Sequence, residues 1–354
     1  MHHDRRGMPR LYKKIFCLCV IREIYVNLQD LKKNTLESID TYFHSIGKNH
    51  EPANLYNPIH YILSQDGKRI RPRLVMAAAE MFGVQAMEVK NIAAAFEMLH
   101  NFTLIHDDIM DQAPIRRGMP TVYKQWNSNI AILAGDALAI MAMQELLKTP
   151  CDNATKIKIS DLFARTSLEI CEGQQYDLDF ETSENVTIDD YIKMIRLKTA
   201  VMLAGCLQSG AIYAHASEDD QQAIYDFGIS IGIAFQLKDD ILDLYSDTQV
   251  FGKITGGDIK ENKKTYLYLT ALQMADETQK RSLRNYFSST DFNFEEKLNA
   301  VKSIYEQLHV KEKTEIMINQ YVDAAIKALD RISVAKEKKT EMYKLAESLV
   351  SRNK

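Results

Sequence analysis

The sequence predicts an all-α protein that folds as a single domain. Glycine (14 residues) and proline (7 residues) are scarce among 354 residues, and this composition favours helix nearly throughout. Apolar residues recur at helical intervals along the chain, as they do from Ile92 to Leu104. No βαβ alternation, Gly-rich nucleotide loop or linker rich in Pro, Gly or Ser is apparent, so a parallel sheet and a division into two domains are both disfavoured.

Charge and cysteine content limit the partners and the compartment. The formal net charge is −4 and the basic residues form no long stripe, which gives no reason to expect nucleic-acid binding. Five scattered cysteines are typical of reduced thiols, so a cytoplasmic location is predicted. Residues 1–22 are predicted to be a disordered extension, and residues 23–354 a single folded domain. No run of about 20 apolar residues indicates a transmembrane segment.

The helices are predicted from periodicity and from start and stop signals. The first ends at Gly47, and the next begins near Ile59 and leads into a basic turn at Asp66–Arg73. A buried helix is expected over Leu74–Phe82, and Thr187 is expected to cap a later one. Further helices are predicted at Ile92–Leu104, at Ile130–Leu147, in a segment that ends near Glu172–Asp177, and at Gln222–Tyr245.

Three carboxylates, those of Asp107, Asp108 and Asp111, lie together at the end of the Ile92–Leu104 helix. At helical pitch Asp107 and Asp111 fall on one face, a turn apart, with Asp108 beside them. Carboxylates this close repel one another unless a cation joins them. Oxygen ligands with room for water suit Mg²⁺ bound together with the phosphates of a substrate. One such motif alone is more often a solvated helix face than a metal site.

A second copy of the same acidic pattern makes the solvated interpretation weaker. Asp239, Asp240 and Asp243 repeat the DDxxD spacing far downstream, again between apolar residues. Charged groups rarely enter apolar runs without partners. Two such helices facing each other across a cavity would hold several Mg²⁺ ions and one diphosphate between them. We therefore predict a metal-assisted diphosphate site.

Basic residues accompany both acidic motifs. Lys68 and Arg71 lie in the Gly- and Pro-containing turn before the Leu74 helix, where guanidinium forks and backbone N–H groups collect anions. Arg116 and Arg117 follow the first motif at a distance that lets them contact a diphosphate from the other side. His100 lies two turns before Asp107, and we predict that it is an anion ligand, although a lone His on an apolar helix is more often a core residue.

Two further segments add cations. Lys198 lies in mostly apolar surroundings, where an unpaired ammonium is costly; pairing with a phosphate or with a buried carboxylate would relieve that cost. After the second motif, Phe251–Lys253 and Gly256–Thr265 form a Gly- and Lys-rich loop. Its position suggests a lid that closes over a bound phosphate.

Taken together and in this order, the motifs make the chain resemble the trans-isoprenyl diphosphate synthases, the family of farnesyl and geranylgeranyl diphosphate synthases. The resemblance extends from about Tyr25 to the end of the chain. It rests on Gly67–Arg69 with Arg71-Pro72, His106–Asp111, Arg116–Gly118, Gly173-Gln174, Lys198-Thr199, Phe235-Gln236 with Asp239–Asp243, and Gly252-Lys253. It implies the isoprenoid synthase type I fold, a helical bundle around a deep central cavity, as a homodimer.

The resemblance also implies roles for individual residues and Mg²⁺ as the cofactor. Metal binding falls to Asp107, Asp111, Asp239 and Asp243, and the catalytic set also contains Asp108, Asp240 and Lys198. The residues implied to contact the allylic diphosphate are Arg116, Lys198, Thr199, Gln236 and Lys253. Contacts to isopentenyl diphosphate fall to Lys68, Arg71, His100 and Arg117.

Product length in this family depends on what blocks the cavity below Asp107. The chain-length position, five residues upstream, is Phe102, followed by Thr103. A ring there forms a floor, so we predict a fifteen- or twenty-carbon product. A longer-chain synthase is the main alternative. A class I terpene cyclase is disfavoured because it needs no second diphosphate site, and a non-catalytic subunit is disfavoured because both acidic motifs are intact.

Overall fold

The computed structural model describes residues 33–246, 255–288 and 293–350. Within these ranges the only strands are β1 (Ile115–Arg116) and β2 (Met119–Pro120), which pair antiparallel. The first half contains α1 (Lys33–Ser45), α2 (Ala53–Leu63), α3 (Ile70–Met81), α4 (Lys90–Met110), α5 (Val122–Gln125), α6 (Ser128–Leu147), α7 (Asn153–Thr182) and α8 (Ile188–Ile195). The second half contains α9 (Val201–Tyr213), α10 (Glu218–Tyr245), α11 (Gly257–Lys260), α12 (Tyr266–Met274), α13 (Glu277–Ser288), α14 (Phe294–Gln307), α15 (Val310–Arg331) and α16 (Thr340–Val350). The all-α prediction is confirmed.

Helix α4 lies in the middle of the bundle and carries the first acidic motif at its end. Its first half is buried on nearly every side, from Ile92 to Leu99, and it packs against α3 and α6. From Phe102 onward most of its side chains are only partly buried, although Ile105 and Asp108 remain in the core. The second half of α4 therefore borders open space, and its polar residues face that space.

Helix α10 carries the second acidic motif and is held along its length. Ser217 caps it by accepting a hydrogen bond from the backbone of Asp220 (3.1 Å), and three acidic residues in its first turn suit the helix dipole. It packs against α15 and α9, and Gly228 allows the close approach, since a Cβ there would lie 2.5 Å from the Cα of Ala204. The second motif thus belongs to a rigid element.

A short π-helical turn, Arg196–Ala200, joins α8 to α9. The predicted cap at Thr187 is confirmed: its side chain accepts from the backbone of Asp190, whose carboxylate accepts from the backbone of Thr187 (3.0 Å). Two glycines let neighbouring helices approach the π turn. A Cβ on Gly173 of α7 would lie 2.3 Å from the amide N of Lys198, and one on Gly232 of α10 would lie 2.4 Å from Ala200. Such turns are frequent at functional sites.

Several predicted helix boundaries were wrong. Helix α2 begins at Ala53 rather than near Ile59, with Pro58 inside it, and α10 begins at Glu218 rather than at Gln222. Helix α3 begins at Ile70 rather than Leu74, because Pro72 lies in its first turn, where a missing N–H is tolerated. Helix α7 continues to Thr182 instead of ending near Asp177, because Gly173 lies inside the helix, where it packs against the π turn, and does not end it. Both polar segments therefore lie on rigid helices.

Helix α6 has the length and apolar composition of a membrane-spanning helix, and it is the one described helix that meets these criteria. Only 39% of its apolar window is buried. One face packs against α4 and α2, and Asp136 lies near its middle. We interpret α6 as a core helix with an exposed apolar face.

Candidate active site

The first acidic motif has an inner and an outer part. Asp108 is 2% exposed, and the guanidinium of Arg116 donates to both of its carboxylate oxygens, at 2.6 and 2.5 Å. The β1–β2 hairpin turns the chain back so that this bidentate pair forms. Asp107 remains partly exposed, and Asp111 ends the helix. Arg116, which was predicted to hold the allylic diphosphate, lies instead against Asp108, and its contact with substrate stays a prediction.

The second motif has a buried residue at the corresponding place. Asp240 is 2% exposed and accepts hydrogen bonds from the Tyr191 hydroxyl (2.6 Å) and the Gln236 amide (3.2 Å). Thr199, in the π turn, donates to the carbonyl of the same amide at 3.4 Å. Burial, with the negative charge of Asp258, raises the pKa of Asp240 well above its usual range. The predicted residues Thr199 and Gln236 are therefore brought together with Asp240.

Asp243 is tied to the segment that follows α10. Its side chain accepts from the backbone N–H of Asp258 (3.0 Å), and its carbonyl accepts from that of Gly256 (2.8 Å). Burial, with the charges of Asp258 and Asp239, raises the pKa of Asp243 from 3.8 to about 8. The acids of this motif crowd one another. Lys253, the predicted phosphate ligand of the loop, lies outside the described residues.

Two lysines interact with the acids of this site, and Lys263 lines a cavity with Asp240, Asp243 and Asp258. Lys198 donates to Asp177 on α7 at 2.5 Å; although burial opposes its charge, the carboxylates of Asp177 and Asp107 raise its pKa. Burial likewise opposes the charge of Lys263, but Asp177, Asp258 and Asp111 raise its pKa well above its usual range. Lys198 is thus coupled to the first motif. Lys263 is coupled to the first motif through Asp111 and to the acids around the second through Asp258.

Three members of this group were not predicted individually from the sequence: Asp177, Asp258 and Lys263. The one available signal for Asp177 was the return of polar residues on an apolar helix. Lys263 and Lys264 are adjacent in sequence, but they differ in surroundings: Lys264 donates to the carbonyls of Phe180 (2.8 Å) and Ser183 (2.5 Å) at the end of α7. Periodicity does not distinguish these two lysines, since both lie in an irregular segment.

A basic corner forms where the turn before α3 meets the β1–β2 hairpin. A Cβ on Gly67 would lie 3.6 Å from the guanidinium carbon of Arg117, so the two segments touch. Within the described residues, Nε of Arg71 and Nη1 of Arg117 are buried and make no hydrogen bond. Burial and the charges of Arg69 and Arg71 lower the pKa of Arg117, while Glu97 opposes that shift. Two unsatisfied guanidinium donors beside each other indicate an anion site.

Not every base of the predicted turn belongs to this corner. Arg69 is 4% exposed and pairs with Asp40 (2.8 Å) and Glu97 (3.0 Å). Arg73 is also buried and donates through Nε to the carbonyl of Lys68 at 3.0 Å. These two arginines hold the turn in place, whereas Arg71 of the same turn keeps a buried Nε without a hydrogen bond among the described residues.

The remaining predicted residues lie on the half-open face of α4. His100, Phe102 and Thr103 are partly buried, and the Thr103 hydroxyl donates to the carbonyl of His100 at 2.8 Å. The ring of Phe102 meets that of His106 edge-on, with 4.9 Å between centroids. Their positions along α4, between the buried half and the acids, agree with a wall that leads toward Asp107.

Metal ligands are not gathered in advance. Among the described residues, no three His, Cys, Asp or Glu side chains converge closely enough to hold an ion. The available donors around both motifs are carboxylate oxygens, which suit Mg²⁺ and not a softer metal. Mg²⁺ usually keeps several waters and is held by one or two carboxylates with substrate phosphates. The donor set therefore fits an ion that arrives with its substrate.

Comparisons with known proteins agree with the architecture. Residues 52–308 match the family described as polyprenyl synthetase. The chain is 35% identical to the geranylgeranyl diphosphate synthase of Methanosarcina mazei over 327 residues, which cover 92% of this chain and 98% of that protein. A crystal structure of a geranylgeranyl pyrophosphate synthase matches with a TM-score of 0.85 at 42% identity, covering 92% and 99% of the two chains. The synthase of Corynebacterium glutamicum, solved with isoprenyl diphosphate and magnesium, matches with a TM-score of 0.78 at 25% identity, covering 94% and 99%.

Proposed function

Because the chain belongs to the polyprenyl synthetase family and is a prenyltransferase, we propose that it joins isopentenyl diphosphate to an allylic diphosphate and releases diphosphate. The observation that carries this assignment is the placement of two lysines against acids: Lys198 pairs with Asp177 at 2.5 Å, and Lys263 lines a cavity with Asp240, Asp243 and Asp258. Lys198 and Lys263 place positive charge where Asp107, Asp111 and Asp258 place negative charge. A diphosphate bound among these groups would have its negative charge stabilised by both lysines. The resemblance seen in the sequence is confirmed at the level of the family.

The basic corner supplies the second substrate site that a condensation needs. Arg71 and Arg117 present buried guanidinium donors without partners among the described residues. Such donors cost free energy in a folded protein unless an anion satisfies them. We assign the diphosphate of isopentenyl diphosphate to this corner, together with Lys68 and His100. A terpene cyclase does not need this second diphosphate site.

The proposed residues act at successive steps of the reaction. Lys198, Lys263, Thr199 and Gln236 hold the allylic diphosphate while its C–O bond breaks, and Arg116 acts by fixing Asp108. The double bond of isopentenyl diphosphate, oriented by Arg71 and Arg117, attacks the allylic carbon and forms the new C–C bond. A proton leaves the adjacent carbon, and the released diphosphate is positioned to accept it. The apolar surroundings keep water from the cation.

Mg²⁺ is the cofactor of this proposal. Asp107, Asp111, Asp239 and Asp243 would hold it, with Asp240 behind them. The raised pKa of Asp243 supports the assignment, because crowded carboxylates are relieved by a divalent cation. When bound, Mg²⁺ neutralises the charge that develops on the leaving diphosphate.

The proposed product has twenty carbons. Phe102 lies on the open face of α4 one turn before His106, where a ring blocks further growth of the chain. This agrees with the names of the Methanosarcina relative and of the similar crystal structure, which are both geranylgeranyl synthases. Fifteen carbons, the lower end of the sequence-based prediction, is the alternative outcome.

We also propose that the partner is a second copy of the chain, in the cytoplasm. Large apolar side chains face outward on α6 and α7: Leu133 is 61% exposed, Ile140 65%, Ile157 69% and Leu168 62%. Acidic side chains on the same faces suit a protein partner more than lipid. A two-fold axis would cover both helices of both copies. Ile140→Asp with Leu168→Asp should convert a dimer to a monomer in sedimentation; a wild-type monomer would contradict this part.

The main experiment compares adjacent lysines. The chain is incubated with Mg²⁺, isopentenyl diphosphate and dimethylallyl, geranyl or farnesyl diphosphate, and product lengths are read by mass spectrometry. We expect a linear twenty-carbon diphosphate. Lys263→Ala should lower kcat about 10²-fold, whereas Lys264→Ala, which alters only the end of α7, should change it less than about threefold. A cyclic product formed without isopentenyl diphosphate would contradict the proposal.

A further inference from the structure

Gly135 on α6 touches the side chain that precedes the first acidic motif. A Cβ at this position would lie 2.3 Å from Nε2 of His106 and 2.5 Å from its Cδ2. Real atoms do not approach so closely, so the imidazole occupies the space that only glycine leaves. Nε2 lies 3.1 Å from the carbonyl oxygen of Ile132. Because a carbonyl only accepts, Nε2 carries a proton and donates it. The imidazole is thus seated against the backbone of α6.

The other side of the same imidazole supports Phe102. The two rings, one helical turn apart on α4, meet edge-on with an interplanar angle of 68°. Phe102 is only partly buried, so this contact restricts a ring that borders open space. Asp136, whose carboxylate is 3.6 Å from Nε2, lies beyond hydrogen-bond distance. The α6 backbone therefore positions His106, and His106 positions Phe102.

We propose that Gly135 and His106 are specificity-determining positions that set product length by fixing the ring of Phe102. The inference rests on the proposed function, and it adds a second tier to the floor of the cavity. Neither residue needs to touch substrate. A methyl group at position 135 would displace the imidazole from α6, and Phe102 would lose the contact that holds it across the path of the growing chain. Longer products would follow.

The test compares Gly135→Ala, His106→Ala and the double variant in the full-length protein. In each single variant, the ratio of longer products to the wild-type product should rise about 2- to 10-fold, as expected when one aromatic edge contact is lost. In the His106→Ala background there is no imidazole to displace, so adding Gly135→Ala should produce no further change. This ratio does not depend on the total rate, which a change beside Asp107 can lower.

Gly228→Ala is the control for crowding between helices, because its Cβ would lie 2.5 Å from Ala204 on α9 and not near His106. It should leave the product ratio unchanged. An unchanged ratio in folded Gly135→Ala, or an equal shift in Gly228→Ala, would overturn the inference. If Gly135→Ala does not fold, the test rests on His106→Ala, a substitution that only removes atoms. An unchanged product ratio in His106→Ala would then refute the inference. A wild-type chain that forms no prenyl diphosphate would instead contradict the proposed function, and this inference with it.

Discussion

The two acidic motifs have the same spacing and differ in how their buried member is compensated. In the first, Asp108 faces a bidentate arginine, so the charge of the inner carboxylate is balanced within the protein. In the second, Asp240 faces a phenol and an amide, which are neutral, and Asp258 adds another acid nearby. The same spacing therefore gives two electrostatic environments: although Asp111 of the first motif is also buried, the excess of negative charge around the inner aspartate is confined to the second motif.

Because of this difference, we expect the two helices to have different roles in ligand binding. A charge-balanced motif is held rigid before any ligand arrives, because the Arg116–Asp108 pair connects α4 to the β1–β2 hairpin. A motif with excess negative charge is destabilised until cations bind. The first motif is thus a preformed wall, and the second depends on the metal and the substrate. The following changes test that contrast.

Breaking the balanced pair should have the largest effect on stability. Arg116→Met leaves the carboxylate of Asp108 buried without its bidentate arginine, and we expect a loss of about 3–5 kcal/mol in the free energy of unfolding. Urea denaturation with and without Mg²⁺ measures it. Adding Asp108→Asn to Arg116→Met should recover part of the loss, since no carboxylate is then buried without its arginine. A single variant as stable as the wild type would refute the role of the pair.

The outer carboxylates should matter for turnover more than for folding. Asp107→Ala and Asp239→Ala each remove one predicted metal ligand, and we expect kcat to fall about 10²- to 10³-fold. A Mg²⁺ titration of initial rates should show a weaker apparent affinity in both variants. As the matched control, Asp136→Ala removes a carboxylate near His106 that lies outside both motifs, and it should leave the Mg²⁺ dependence unchanged.

The contrast also shows how far sequence reasoning extends. Both motifs, the all-α class and the cap at Thr187 follow from short-range patterns, because spacing along a helix fixes which residues share a face. The partners of the motifs do not. Asp177 reaches Lys198 from a helix 21 residues earlier in the chain, and Arg69 turns inward to Asp40 and Glu97 while its neighbour Arg71 does not. Such choices depend on packing between distant segments, which no local pattern encodes.

The excess charge of the second motif predicts a pH-dependent stability. The folded pKa of Asp243, about 8, lies above its ordinary value of 3.8. The stabilisation from its bound proton is therefore complete below about pH 4 and is lost as the pH rises through 8. In metal-free protein at pH 9, Asp243→Asn should raise the free energy of unfolding by roughly 1–3 kcal/mol. The gain should disappear at pH 4, where the wild-type carboxyl is protonated.

Mg²⁺ supplies the control for this titration. Together with a diphosphate, it should stabilise the wild type at pH 9 and should stabilise Asp243→Asn much less, because an amide is a weaker ligand than a carboxylate. Thermal unfolding with EDTA or with Mg²⁺ and inorganic diphosphate gives all the required values. A variant that is less stable than the metal-free wild type at pH 9 would show that Asp243 is already compensated.

The smallest effect should come from the neutral partner of Asp240. Tyr191→Phe removes one hydrogen bond to a buried carboxyl whose pKa is raised well above its usual range by burial and by Asp258. Because the phenol is a neutral donor, the lost bond is not an ion pair, and we expect about 1 kcal/mol of destabilisation by urea denaturation. The Gln236 amide still donates to Asp240 at 3.2 Å in this variant. A loss as large as that of Arg116→Met would mean that the phenol compensates Asp240 as strongly as the arginine compensates Asp108, and the contrast between the two motifs would fail.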